Sequence, residues 1–352
     1  MNNNKNINIE LAELINLYLP DRTGESQHIT EELERSLSEL IYKTDASVDK
    51  TNVVALLENK LDKSIFFDML LSAGTIAVNY KRYNLAVSIY KFLIKQANPE
   101  SSYSNFSAIA FMELGFVFAK LLRLEESLRN LELANDLFNR EMNTAGSIKC
   151  LQMIGLIHED KKDYESAKKY FEKCLSLLTY TRDTSNIGLI EANLGIIHFH
   201  QNDYEKSLQS FYRSLLVFEK MSDARRIAEL RYNLALIYIK VNEPQMAVTE
   251  LELSINAAAQ CGDRSGLSKA YVSKANVYVD LNDYSLSLGF ADYSIGISNT
   301  VNDKGTIADA YVLKAKLEKM LSGFNQNFLY NYHNTSLRIV QDADFGYLSE
   351  AG

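Results

Sequence analysis

Four sets of residues in this chain are of the types that chemistry uses. His158 and His198 stand forty positions apart, and such a pair could hold a metal ion if further ligands converged on it. Both share a column with Phe118, Tyr238 and Tyr278, a packing position, and His200 lies two residues on and points elsewhere on a helix. The histidines therefore read as core. Glu159 and Asp160 could be taken for an acid pair, but neighbours on a helix do not face each other, and a solvated face is the expectation. Lys161, Lys162, Lys168 and Lys169 read as exposed helix surface. Asn193 and Asn233, again forty apart, differ from the rest. A carboxamide donates and accepts at once, so it can grip an extended peptide backbone.

No Gly-rich phosphate loop, GxSxG elbow or HExxH is present. Cys150, Cys174 and Cys261 cannot all pair, and their spacing matches no zinc pattern. The expectation is a protein that is not an enzyme and has no metal and no cofactor. The odd cysteine count points to a reducing compartment. The N-terminus lacks the apolar run of a signal peptide, and no apolar stretch is long enough for a membrane span, so a cytoplasmic protein is expected. The formal net charge of −8 argues against a general nucleic-acid binder, which needs a basic face.

The elements that must position these residues come from a repeat. Small residues recur every forty positions at Gly115, Gly155, Gly195, Ala235, Ala275 and Ala315, with Gly74 at 41 before the first. A second small column follows twelve residues later at Ala86 (in the earliest copy), Ser127, Ala167, Ser207, Ala247 and Ser287. Helices approach closely where small side chains meet, so the two columns predict paired helices. Asp163, Asp203 and Asp283, in the turns KKDY, QNDY and LNDY, are placed to cap each second helix. Lys162, Asn202 and Asn282 precede them, and Asn tolerates the left-handed conformation that ends a helix. The Asp column at Asp183, Asp223, Asp263 and Asp303 predicts caps on the next first helices. Only three prolines interrupt the chain, which suits a mostly helical fold.

The pattern Leu194-Gly195-x-x-His198 followed by Tyr204-x-x-Ser207-x-x-x-Phe211-x-x-Ser214 resembles the tetratricopeptide repeat. Ile154-Gly155-x-x-His158 with Tyr164, Ala167, Phe171 and Cys174 resembles it again, as do Leu234-Ala235-x-x-Tyr238, Ala247, Leu251 and Ser254. The resemblance covers about 66–320. The family's early Trp is replaced by Leu151, Glu191, Arg231, Tyr271 and Tyr311, its closing Pro is absent, and the period is forty rather than 34. That longer form is similar to the repeats of bacterial peptide receptors, kinesin light chains and Leu-Gly-Asn-type scaffolds. The resemblance implies an all-α fold, a right-handed α-solenoid of helix hairpins. Residues 61–340 would hold about six good repeats and a degenerate seventh, with a helical cap over 1–60 and the start of a further helix or a cap over 341–352.

The resemblance also implies where function lies. First helices of such arrays line an inner face, at positions 3 before, 1 after and 4 after the small residue. In this chain Ile196, Phe199, Tyr232, Leu236 and Ile239 fall there, joined further on by Val272, Asn276, Val312, Lys316 and Lys319, and Asn193 and Asn233 match the peptide-gripping Asn of several such receptors. The implied function is a scaffold or sensor that binds a protein or peptide segment in this groove. A peptide-pheromone receptor and the sensory part of a larger bacterial signalling protein are the alternatives.

Overall fold

The computed structural model describes residues 63–321 apart from 100, 180 and 182. The expected N-terminal cap, the seventh repeat's second helix and the C-terminal segment lie outside the described residues. Thirteen α-helices follow one another among the described residues, and no strand occurs there. They are α1 (Lys63–Asn79), α2 (Tyr83–Ala97), α3 (Ser104–Lys120), α4 (Leu124–Arg140), α5 (Thr144–Asp160), α6 (Tyr164–Leu178), α7 (Thr184–His200), α8 (Tyr204–Met221), α9 (Ala224–Lys240), α10 (Pro244–Gln260), α11 (Arg264–Asp280), α12 (Tyr284–Val301) and α13 (Lys304–Leu321). Odd-numbered helices are first helices of hairpins and even-numbered ones their partners. The chain divides into two compact units at Leu177/Leu178, the end of α6. Within each unit every first helix also touches the first helix of the next hairpin.

The helix ends form as the Asp columns predict. Asp203 accepts from the Lys206 amide at 3.2 Å, Asp283 from Leu286 at 3.0 Å and Asp163 from Ser166 at 3.2 Å, capping second helices. Asp183, Asp223, Asp263 and Asp303 do the same for first helices, and Asn143 joins their column with a bond from Gly146 at 2.9 Å. Each turn needs one left-handed residue, and Asn202 (φ 61°), Asn242 (60°) and Asn282 (60°) take that conformation, as do Lys162 (59°) and Leu122 (59°). Asn reaches this region at little strain, whereas Leu and Lys do not.

Two kinds of serine bond recur between the helices of the hairpins, and α7–α8 has both together with a ring. Ser127, Ser207 and Ser287 donate their buried hydroxyls to the carbonyls of Gly115, Gly195 and Ala275, at 2.6, 2.7 and 2.7 Å. Seven residues further along the second helix, Ser214, Ser254 and Ser294 donate to Gly188, Ala228 and Ser268 at 2.7, 2.8 and 2.8 Å. Cys174 takes that position in α6 with a weak contact to the Ile148 carbonyl at 3.7 Å. The glycine column itself faces side chains of real size. A Cβ on Gly195 would stand 2.8 Å from the Phe211 ring, one on Gly155 2.7 Å from Phe171 and one on Gly115 2.5 Å from Leu131. The glycines therefore make room for rings as well as for a neighbouring backbone. Where the column turns to Ala235 and Ala275, the matching positions are Leu251 and Ala291, all fully buried.

Ion pairs, one of them with a buried partner, tie hairpin to hairpin in the second unit. Lys274, buried, donates to Glu252 at 2.8 Å and lies 4.4 Å above the Phe290 ring, and Lys314 repeats the pair with Asp292 at 2.8 Å. Arg231 bridges Glu250 and Glu219 at 2.9 and 2.8 Å.

Two expectations follow. Gly195→Ala should destabilise the protein by roughly 1–3 kcal/mol through overpacking. Adding Phe211→Leu, the Ala–Leu pairing found at 235 and 251, should recover much of that loss in chemical denaturation; a purely additive double variant would show that the ring is not the obstacle. The second concerns modularity. Excising 265–304 puts Lys314 where Lys274 was, facing Glu252, so the charge pairing survives. Excising 225–264 instead puts Tyr212 opposite Lys274 and strands a buried ammonium. Both excisions keep the hairpin phase, yet the first should melt at the higher temperature. Equal melting would mean that the pairs contribute nothing to the choice of neighbours.

Candidate functional site

Exposure along each first helix falls on one stripe. In α7 the residues that reach solvent beyond its first turn are Leu189, Ala192, Asn193, Ile196, Phe199 and His200, spaced as one helical face. The same stripe in α9 carries Glu229, Tyr232, Asn233, Leu236, Ile239 and Lys240. On α7 every other residue beyond the first turn is buried, so this stripe is where a ligand can meet it. Because α7, α9, α11 and α13 contact one another in order, their stripes lie side by side in the second unit.

The stripe is part core and part surface. Ile196, Phe199 and Ala192 are half-buried against the cluster of Phe211, Leu215, Phe218, Leu230, Leu234 and Ile237. Tyr232 and Ile239 rest in the same way on the cluster built around Leu251 and Tyr271. The Phe199 ring meets His200 and Tyr204 edge-on at 5.7 and 5.9 Å. The Tyr232 hydroxyl lies 3.1 Å from that of Ser273, joining α9 to α11. Leu236 is half-buried and belongs to neither cluster.

The polar members differ among themselves. Asn193 and Asn233 are half-buried, and among the described residues neither side chain makes a hydrogen bond. Asn276 is exposed but donates its amide to the Val272 carbonyl of its own helix at 3.0 Å, which leaves its oxygen as the open group. Val272 is buried, so the inner position three before Ala275 is core rather than lining. Lys316 is exposed on α13; Lys319 lies on the same helix and its side chain is outside the described set. The apolar run and the paired amides are thus brought together on α7 and α9, and the basic end stands two first helices away.

The remaining chemical candidates resolve by packing. His158 Nδ1 lies 3.1 Å from the Asp163 carboxylate, and its ring stacks on Tyr170 at 5.4 Å. His198 is buried. Among the described residues no group of three or more metal-ligating side chains gathers, and no helix is long and apolar enough to cross a membrane. Burial pushes the Cys150 and Cys174 thiols up to about 12, far from a reactive thiolate. Lys161 pairs with Glu125 at 2.6 Å. Glu159 departs from the expected solvated face: one carboxylate oxygen is buried with no hydrogen bond, and burial, reinforced by Asp160, pushes its carboxyl up to about 6. The sequence hid this because a stripe position looks exposed until the neighbouring helices are in place.

Two tetratricopeptide-repeat models match the sequence, over residues 148–177 and 186–260. The structure is similar to that of a signal-transduction ATPase (STAND) protein with a tetratricopeptide repeat sensor from Pyrococcus horikoshii. The TM-score is 0.64 at 16% identity, over 96% of this chain and 53% of that one, so this chain spans about half of its length. The apo form of RapI is similar at TM-score 0.55 and 15% identity, over 73% of this chain and 99% of that one. The Rap conjugation regulator of plasmid pLS20, in complex with a Phr peptide, is similar at TM-score 0.50 and 18% identity, over 91% and 98%. No curated protein is significantly similar in sequence. At such identities the structural likeness is one of fold. Residues 148–177 and 186–260 thus carry tetratricopeptide repeats, and the described residues form an all-α repeat solenoid.

Glu159 gives a measurable consequence. Its carboxyl ionises near 4.5 when free and near 6 in the fold. Between those values the folded state holds the extra proton, so this group's contribution to stability falls as pH rises from 4.5 to 6. Glu159→Gln should remove that fall and be more stable than the wild type at pH 7 by on the order of 1 kcal/mol. Urea denaturation of both proteins across pH 4–7 checks it; parallel curves would place the carboxylate in water.

Proposed function

We propose that the second unit binds a segment of a partner protein or a peptide along the stripes of α7 and α9, as a scaffold or a sensor. The observation that carries this is the pair Asn193 and Asn233. Two half-buried carboxamides without hydrogen bonds sit in register on touching helices, flanked by Ile196, Phe199, Leu236 and Ile239. Half-buried amides are held back from water, and a ligand's main chain offers both the donor and the acceptor they lack. The apolar side chains beside them give affinity by burial. Lys316 adds a cation at the α13 end, which suits a ligand with an acidic group there, so binding should weaken with salt.

The likeness to the Rap regulator in complex with a Phr peptide supports a peptide ligand. The likeness to the STAND protein, which has a tetratricopeptide repeat sensor, supports the second reading, a sensory part of a larger signalling protein. Both readings use the same stripe, and both are expected to act inside the cell.

Asn233→Ala and Leu236→Ala test the stripe with least disturbance of the core. Each should reduce capture of a partner, in a pull-down from the native cytoplasm, by roughly tenfold while changing stability by under about 1 kcal/mol. Phe199→Ala is a less clean probe, because its ring also supports Tyr204 and should cost about 1–3 kcal/mol of stability. Full capture by well-folded Asn233→Ala and Leu236→Ala proteins would rule out the stripe as the binding face.

A further inference from the structure

The first unit carries its own stripe, on α3 and α5, and its chemistry differs. Phe116 is half-buried there and Leu156 is 44% exposed, a large apolar side chain left in water at the middle of α5. Glu113 and Glu159 flank them. Both are half-buried, and among the described residues neither makes an ion pair. Burial pushes the Glu113 carboxyl up, against the opposing pull of Lys149, an exposed residue. Among the described residues no cation acts on Glu159, only the repulsion of Asp160, and one of its oxygens is buried without a hydrogen bond. Lys120 is engaged elsewhere, with its ammonium 5.2 Å above the Phe116 ring.

A carboxylate held partly out of water without a cation is unfavourable, and this face keeps one, Glu159, beside an open apolar patch. We propose that the α3–α5 stripe is a second docking surface, for a segment that carries an arginine or lysine next to aliphatic side chains. The aliphatic groups would cover Leu156 and Phe116, and the cation would reach Glu159 from the open side. Charge complementarity selects this occupant: an acidic or wholly apolar segment would leave Glu159 as poorly paired as it is now, or worse. The stripe lies in the other unit from the one carrying Asn193 and Asn233, and the inference does not rest on that reading.

The test titrates the full chain with the capped pentapeptide acetyl-ALRLA-amide and with its citrulline counterpart, which has nearly the same shape and no charge. Backbone amide shifts report where each binds. The arginine peptide should perturb α3 and α5 and bind about tenfold more tightly than the citrulline peptide. Glu159→Gln should abolish that preference, whereas Glu113→Gln and Asn233→Ala should leave it intact. Circular dichroism should show both Gln variants folded, since each loses a poorly hydrated charge and keeps its shape. No binding by the arginine peptide, equal binding of the two peptides, or a preference that survives in folded Glu159→Gln overturns the proposal.

Discussion

The close approach of the two helices in each hairpin is the constraint on which the rest depends. It is set where a glycine or alanine of the first helix meets a serine or alanine of the second. The serine hydroxyl could not reach a carbonyl of the opposite helix, as Ser207 reaches Gly195 at 2.7 Å, if either column were larger. The ring of Phe211 then fills the space that a Cβ would have taken. Because one side of each first helix is closed by its partner and the flanks by the next hairpin, one narrow stripe is left to solvent. The proposed binding surface is thus what remains after packing has been satisfied.

Charge in the second unit serves a different purpose. The column that in this repeat family holds Trp here holds Glu191, Arg231 and Tyr271. Glu191 takes one bond from Arg213 at 2.9 Å and keeps its other oxygen unpaired, while Arg231 holds two carboxylates. Buried pairs of this kind add little net stability, since desolvation offsets most of the attraction. Ion pairs do make one hairpin a better neighbour than another: three positions beyond that column, Lys274 needs Glu252, and a hairpin with Tyr at that position would not serve it.

The two stripes present contrasting solutions to one geometry. On α7 and α9 the open polar groups are neutral amides among aliphatic side chains, suited to a main chain. On α3 and α5 they are carboxyls, suited to a cation. Neither arrangement improves the fold, because each leaves hydrogen-bonding capacity half-buried and unused. Such capacity is most simply understood as held for a ligand.

The sequence by itself determined the repeat, its forty-residue phase, the helix caps and the absence of any recognisable catalytic motif. These are legible because they depend on local residue type: Asp at a helix start, Asn at a left-handed turn, a small residue at a crossing. It also placed Asn193, Asn233, Ile196 and Leu236 on one face, since helical period alone decides that. Tertiary structure decided what neighbours do to each position. Val272 follows the inner-face spacing yet is buried, and Asn276 spends its amide on its own helix. Glu159 reads as a solvated acid in sequence and becomes a shielded carboxyl once the helices around it are in place. That Gly195 faces the ring of Phe211, sixteen residues away, is likewise a fact of packing, because which side chain fills a gap depends on the distance and tilt between two helices and not on either one alone.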